Sequence, residues 1–425
     1  MMLEFAYKDF VVPWYETTGF PLVDNQAKYI ESWALYVGLL LFLPATVRKP
    51  SDFLICLAFF VYIAPLLMYY GFTDASQWAL YCVLAQYTIM SLMRWGRPVP
   101  VPVVRRGPAI ALWLAIVGVV VATSWMIASA GFANFNLNLE AVYEFREEAG
   151  IAINVGAMSY IVAWATTVCG PLVLMLALRD GHRTLALSII LLHVLWFGIS
   201  AHKAVLFFPV LVLFLYVFFK HSRALSLMPL GLCLVVLVSL ASYYATESLL
   251  LSGLFVRRVF FVPSYLTFSY FEFFEQNSFV FWSNSFLSAF VHYPYDDSVP
   301  FVIGSYLNDP TGWANNSFFS TGYMHAGLLG VVIYGLVAGA MLKVLDSLVT
   351  RTVPLWMSLS VIIVPFFTLV TSADLTTALL THGLGFAILM LYLMKRPSEV
   401  RTTGLNLAAG SRSEMHRGAE MSAPK

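Results

Sequence analysis

The 425-residue chain is 60% hydrophobic and 11% charged, with a mean hydropathy of +0.79. A soluble chain of that length cannot hide so much apolar surface, so the composition excludes a soluble globular protein and predicts an all-α polytopic membrane protein. The net charge of +1 says little, because the two signs are segregated along the sequence.

Residues 1–27 are too polar, and too interrupted by Pro13, to span a bilayer; Phe10, Val11, Trp14 and Tyr15 suit an interfacial segment. With no basic stretch leading into an apolar one, a cleaved signal peptide is not expected. Apolar runs long enough to cross the hydrocarbon, which takes ~20 residues, follow at about 29–47, 53–71, 76–93, 108–130, 157–178, 184–201, 203–219, 225–246, 321–342, 354–372 and 378–394. That predicts a bundle of eleven helices forming a single membrane domain over 1–396, followed by a polar cytoplasmic tail over 397–425 that reads as disordered. The four cysteines fall inside apolar runs without metal-type spacing and read as small core residues.

Alternate connections carry all but six of the 24 basic residues, including Arg48, Lys49, Arg94, Lys343 and Lys395, and only 6 of the 23 acids. The positive-inside bias makes those connections cytoplasmic, with the N-terminus outside and the C-terminus inside. Two long outer loops result. One, about 131–156, carries Glu140, Glu144, Arg146, Glu147 and Glu148. The other runs from about 247 to 320 and is expected to make no net crossing. Its aromatic stretch Val259–Phe274 reads as an interfacial or re-entrant helix.

The cations kept outside need a reason. Lys8 and Lys28 suit snorkelling. Lys203, at an almost loop-free helix junction, either snorkels, pairs with an outer acid or meets a lipid phosphate. Arg257 and Arg258 either anchor the interface or grip phosphate, one of them at a time, because neighbours on a helix point in different directions. Asp296 and Asp297 fit a turn, a proton acceptor or an ion site. Among the histidines, His325 and His292 are candidate bases on the outer side; His382 lies in or near the last span. Asn315, Asn316, Ser317, Ser320 and Tyr323 gather neutral donors and acceptors at the start of a helix, which suits either capping or sugar hydroxyls. The sequence lacks a Walker loop, GxSxG, HExxH and regular intramembrane charges. It therefore argues against an ATP-driven pump, a serine hydrolase, a zinc protease, a proton-coupled carrier and a voltage sensor.

The order GISAHKAVLFFP, RRVFFVPSYLTFSYFEFF, YPYDDSVPFVIGSYL and ANNSFFSTGYMHAGLLGVVIYGLVAG resembles the O-antigen polymerase (Wzy-type) family over roughly Gly198 to Gly339. The resemblance implies a membrane glycosyltransferase of the GT-C kind in a bacterial inner membrane. Such an enzyme moves a growing glycan from undecaprenyl pyrophosphate onto another lipid-linked repeat on the periplasmic face. It would work without cofactor, metal or nucleic acid, alongside a flippase and a chain-length regulator. Arg257 and Arg258, with Lys203, match the family's basic external residues and would neutralise the pyrophosphate. A residue among Asp296, Asp297 and His325 would take the acceptor proton, and Asn315, Asn316, Ser320 and Tyr323 would orient sugars. The rival expectations are O-antigen ligase and a non-enzymatic flippase for the same lipid.

Overall fold

A computed structural model describes residues 1–96, 99–132, 135–137, 149–309, 312–350 and 353–395. The acidic group Glu140–Glu148 and the tail after 396 lie outside the described residues. Among the described residues every regular element is helical, and one isolated bridge joins Thr46 to Ala224.

Residues 2–18 form a broken helical segment, α1. There follow α2 (Gln26–Leu40), α3 (Pro50–Phe72), α4 (Gln77–Leu92), α5 (Gly107–Ser129), α6 (Ala157–Asp180), α7 (Arg183–Ser200), α8 (Lys203–His221), α9 (Leu227–Thr246) and α10 (Leu250–Gln276). The chain continues with α11 (Val299–Tyr306), α12 (Phe318–Leu348), α13 (Leu355–Thr371), α14 (Leu375–Leu380) and α15 (Leu384–Met394). Eight of these are long and apolar enough to cross a membrane, and the chain is a helical membrane protein. Each of the eleven expected stretches is helical. Seven of them coincide with long apolar helices; α2, α4 and α13 are shorter, and the last stretch is split into α14 and α15.

The eighth long helix differs from expectation. α10 is continuous over 27 residues and packs inside the bundle, with Phe261, Ser264, Thr267 and Phe271 fully buried. An aromatic helix looks interfacial in isolation, but here α3 and α12 supply partner rings: Tyr69 stacks on Phe268 and Tyr323 on Phe271. Residues 1–27 also depart from an interfacial reading. Tyr7, Phe10 and Val11 are fully buried, and Trp14 Nε1 donates to the Tyr243 hydroxyl of α9 at 2.9 Å.

Charge closes one end of the bundle. Asp52, in the first turn of α3, accepts from the backbone N–H groups of Arg48 and Lys49 and pairs with Arg94 at 2.9 Å. Lys49 pairs with Asp346 at 2.9 Å, and Lys395 donates to the carbonyls of Val101 and Ser347. Val47 N–H donates to the Arg223 carbonyl. The connections that the charge pattern grouped on one side thus meet at one end. Because Asp52 and Arg94 are 7% and 10% exposed, Asp52→Ala strands a buried guanidinium. It should destabilise the protein by about 3–5 kcal/mol, read as a lowered unfolding midpoint in detergent.

The least regular element is α12. At Ala326 (φ −154°) and Gly327 (φ 57°, ψ −136°) the helix breaks, and its two halves fold back on each other. Residues eight apart on a straight helix are ~12 Å apart, yet the Gly322 carbonyl touches Gly330 so closely that a Cβ there would sit 1.8 Å from it. The short half, 318–325, therefore runs antiparallel to the spanning half, 328–348. The expected span at 321–342 begins instead at about 328. Beyond the fold-back, Gly335 and Gly339 let α12 approach α4 at Gln86, Ile89 and Met93.

Candidate functional site

The fold-back carries the sequence NNSFFS into the middle of the bundle. Gln86, halfway along α4, donates to the Phe318 carbonyl at 3.0 Å, and Tyr62, halfway along α3, stacks on Phe319. Irregular backbone at that depth needs internal partners, because lipid offers none. The Asn316 side chain is itself tied in: its Nδ2 donates to Thr267 Oγ1 of α10 at 3.0 Å and to Ser320 Oγ at 2.8 Å. Tyr62 closes on the same Thr267 hydroxyl, and Tyr270 donates to the Ala314 carbonyl at 2.8 Å. Asn316 Oδ1 stays buried with no hydrogen-bond partner among the described residues.

Just before the break sits His325. The carbonyls of Met324 and His325, freed where the helix ends, accept the backbone N–H groups of Val280 and Phe281, both at 3.0 Å. Phe281 and Trp282 take left-handed backbone angles (φ 48° and 56°), a conformation that costs bulky residues energy and that functional sites tend to hold. Here it places Trp282. Its backbone N–H donates to His325 Nδ1 at 3.1 Å, its ring stacks on the imidazole, and its Nε1 donates to the Tyr334 hydroxyl at 3.1 Å. With Nδ1 accepting, the neutral ring carries its proton on Nε2, which lies 3.3 Å from Asp374 Oδ1.

Asp374 caps α14, accepting from Thr376 N–H at 3.0 Å and from the Thr376 hydroxyl, while Tyr334 donates to Oδ1 at 2.8 Å. Burial alone would raise this carboxyl. The His325 and Thr376 donors outweigh that and hold it below the usual aspartate range. The carboxylate is therefore ionised and a weak base, suited to electrostatic work.

Asp374 and Asn316 line one cavity of ≈350 Å³ together with Asn315, Thr321, Thr377, Ser298, Tyr270, Trp313 and His382. It combines amides, hydroxyls and two aromatic rings around one fixed negative charge.

Of the residues anticipated from sequence, Asn315 and Asn316 line this cavity, Ser320 bonds Asn316, and His325 supports Asp374. His325 is fully buried, with Nδ1 bonded to the Trp282 N–H and Nε2 3.3 Å from Asp374 Oδ1, so it sits against Asp374 and not on the cavity lining. His382 is the histidine that faces the cavity. Tyr323 packs on Phe271 with ring centroids 4.2 Å apart. Asp296 and Asp297 stay exposed in a turn where the Asp297 carbonyl accepts from Tyr293. The basic group lies elsewhere. Arg257 is half-buried with its guanidinium 4.2 Å from the Tyr15 ring centroid, Arg258 is exposed, and Lys203 opens α8 partly buried. Sequence reasoning missed Asp374, Tyr334 and Trp282. Its available signal was an acid in SADLTT, at a break between two apolar runs.

No family model matches the sequence, and no curated protein or solved structure matches it either.

Proposed function

We propose that the chain is a membrane glycosyltransferase that polymerises lipid-linked oligosaccharide repeats, working at the outer face of a bacterial inner membrane with the charged end of the bundle in the cytoplasm. One observation carries this reading. A cavity of sugar-binding character, with amides, hydroxyls, Trp313 and Tyr270, is built around an ionised carboxylate among apolar helices. Aromatic faces and neutral donors suit sugar rings. A fixed carboxylate stabilises the positive charge that develops at an anomeric carbon when its bond to a leaving group lengthens. In this mechanism Asp374 supplies that field, His325 and Tyr334 hold it, and His382 takes the proton of the attacking hydroxyl. The pyrophosphate leaves with the bonding electron pair.

The cations would receive the diphosphate. Arg257 and Thr267 lie on the same helix, ten residues or ~15 Å apart along its axis, and Thr267 holds Asn316 at the cavity. A lipid-linked glycan would lie along α10, with phosphate at Arg257 and Arg258 and sugars towards Asn316. A widened, π-type turn over residues 253–261 carries both arginines, a backbone feature frequent at functional sites. Arg257→Ala combined with Arg258→Ala should lower polymer yield by about a hundredfold or more at unchanged membrane level. Full-length polymer from that variant would remove the arginines from the mechanism.

Deletion of the gene separates the polymerase from a ligase: single capped repeats mean the first, unlinked polymer the second. A flippase is the second reading, favoured by the paired interruptions at 326–327 and 372–383, since broken helices around a central site are a feature of transporters.

A further inference from the structure

The fixed charge around the cavity points to one class of ligand. Asp374 is the one lining residue of fixed charge, and no lysine or arginine lines the cavity among the described residues. His382 brings a cation only when protonated, below neutral pH for an ordinary histidine. Asn316 is 2% exposed, and its amide nitrogen is committed to Thr267 and Ser320, so it adds no charge to the lining. The cavity's fixed charge is therefore negative, with no cation beside it in the lining.

We infer that this cavity selects glycan rings that are uncharged or carry an amine, and turns away rings bearing a carboxylate or a phosphate. The inference rests on reading the cavity as a sugar site and names the class of sugar. An ammonium group brings a charge opposite to that of Asp374, and sugar hydroxyls meet the amides and hydroxyls of the lining without adding charge. A uronate adds to its hydroxyls a carboxylate whose charge has the same sign as that of Asp374, itself only 13% exposed. The same negative charge keeps the lipid diphosphate out of the cavity. It assigns the cavity to the sugar end of the ligand and leaves the phosphate to the arginines of α10.

The test uses the full chain in nanodiscs and three soluble probes: the methyl glycosides of glucose, glucosamine and glucuronic acid, with binding read by calorimetry. The first two should bind, and the glucuronide should bind at least about tenfold more weakly. Asp374→Asn should shrink that gap to a few-fold. Because that variant also disturbs a buried network, Asn284→Arg serves as the second arm. It places a cation at an exposed position on the cavity wall, leaves Asp374 intact, and should strengthen glucuronide binding by about tenfold or more. Equal or tighter binding of the glucuronide by the wild type, an unchanged preference in Asn284→Arg, or binding of none of the three probes would overturn the inference.

Binding needs no glycosyl transfer, so the outcomes separate. A protein that ranks the probes as stated yet elongates nothing keeps this inference and loses the polymerase. One that elongates uronate-terminated repeats as fast as neutral ones does the reverse.

Discussion

Gly330→Ala should remove the folded protein. The fold-back of α12 brings the Gly322 carbonyl against Gly330, and the added Cβ would lie 1.8 Å from that oxygen, with the peptide plane directly behind it. No side chain can swing away to relieve the contact, so the two halves of α12 must separate. Separation would pull Asn316 from Thr267 and open the packing of Phe319 on Tyr62 and of His325 under Trp282. Those losses add to several kcal/mol, comparable with the whole stability of a typical domain at ~5–15 kcal/mol. Size-exclusion chromatography in mild detergent should show aggregate in place of a monodisperse peak. Gly38→Ala is the control: it lies in α2 with nothing within 4 Å of the new methyl group, and should leave the peak unchanged or slightly more heat-resistant. A monodisperse, trypsin-resistant Gly330→Ala protein would show that the halves of α12 do not meet.

The second large effect belongs to Asp374→Asn. An amide at this position removes the negative charge and turns a donor towards the Thr376 N–H, while Tyr334 and His325 lose a charged partner. Hydrogen bonds to charged groups contribute ~1.5–3 kcal/mol each, so a clear loss of stability accompanies any loss of activity. Transfer itself should fall by about a hundredfold or more, the order seen when one preorganised electrostatic group is removed from a site. The pH profile separates the two effects. Asp374 is held below the ordinary aspartate range, about 4, so its contribution to stability is complete above that range and is lost as falling pH titrates the folded form. The wild type should lose stability below about pH 4, and Asp374→Asn should flatten that acid limb while transfer stays low at neutral pH. An unchanged transfer rate in a folded Asp374→Asn protein would make the network purely structural.

The spanning helices were legible because length and apolarity suffice to specify them, and the charged end because Lys49, Arg94 and Lys395 follow the sidedness bias. What sequence could not show depends on partners distant along the chain. Phe10 and Tyr7 look interfacial until Tyr243, Phe72 and Phe261 cover them. The fold-back was hidden because Gly322, Gly327 and Gly330 sit inside a run apolar enough to read as one span. Asn315 and Asn316 read in the sequence as neutral donors and acceptors at the start of a helix; the structure leaves Asn315 exposed and buries Asn316 against Thr267 and Ser320. Asp374 was passed over because an acid beside an outer turn looks ordinary; its value appears only when Tyr334 and His325 arrive from α12. Arg257 and Arg258 stood out for their charge, and the structure sets them on a different stretch of α10 from the cavity contact at Thr267.

The polymerase reading is tested most directly by offering externally oriented lipid-linked repeats to the purified protein in liposomes and separating the products by size. The expected product is a ladder of repeats that disappears with Asp374→Asn. Repeats that stay single, or merely change leaflet, in the presence of folded wild-type protein would contradict it.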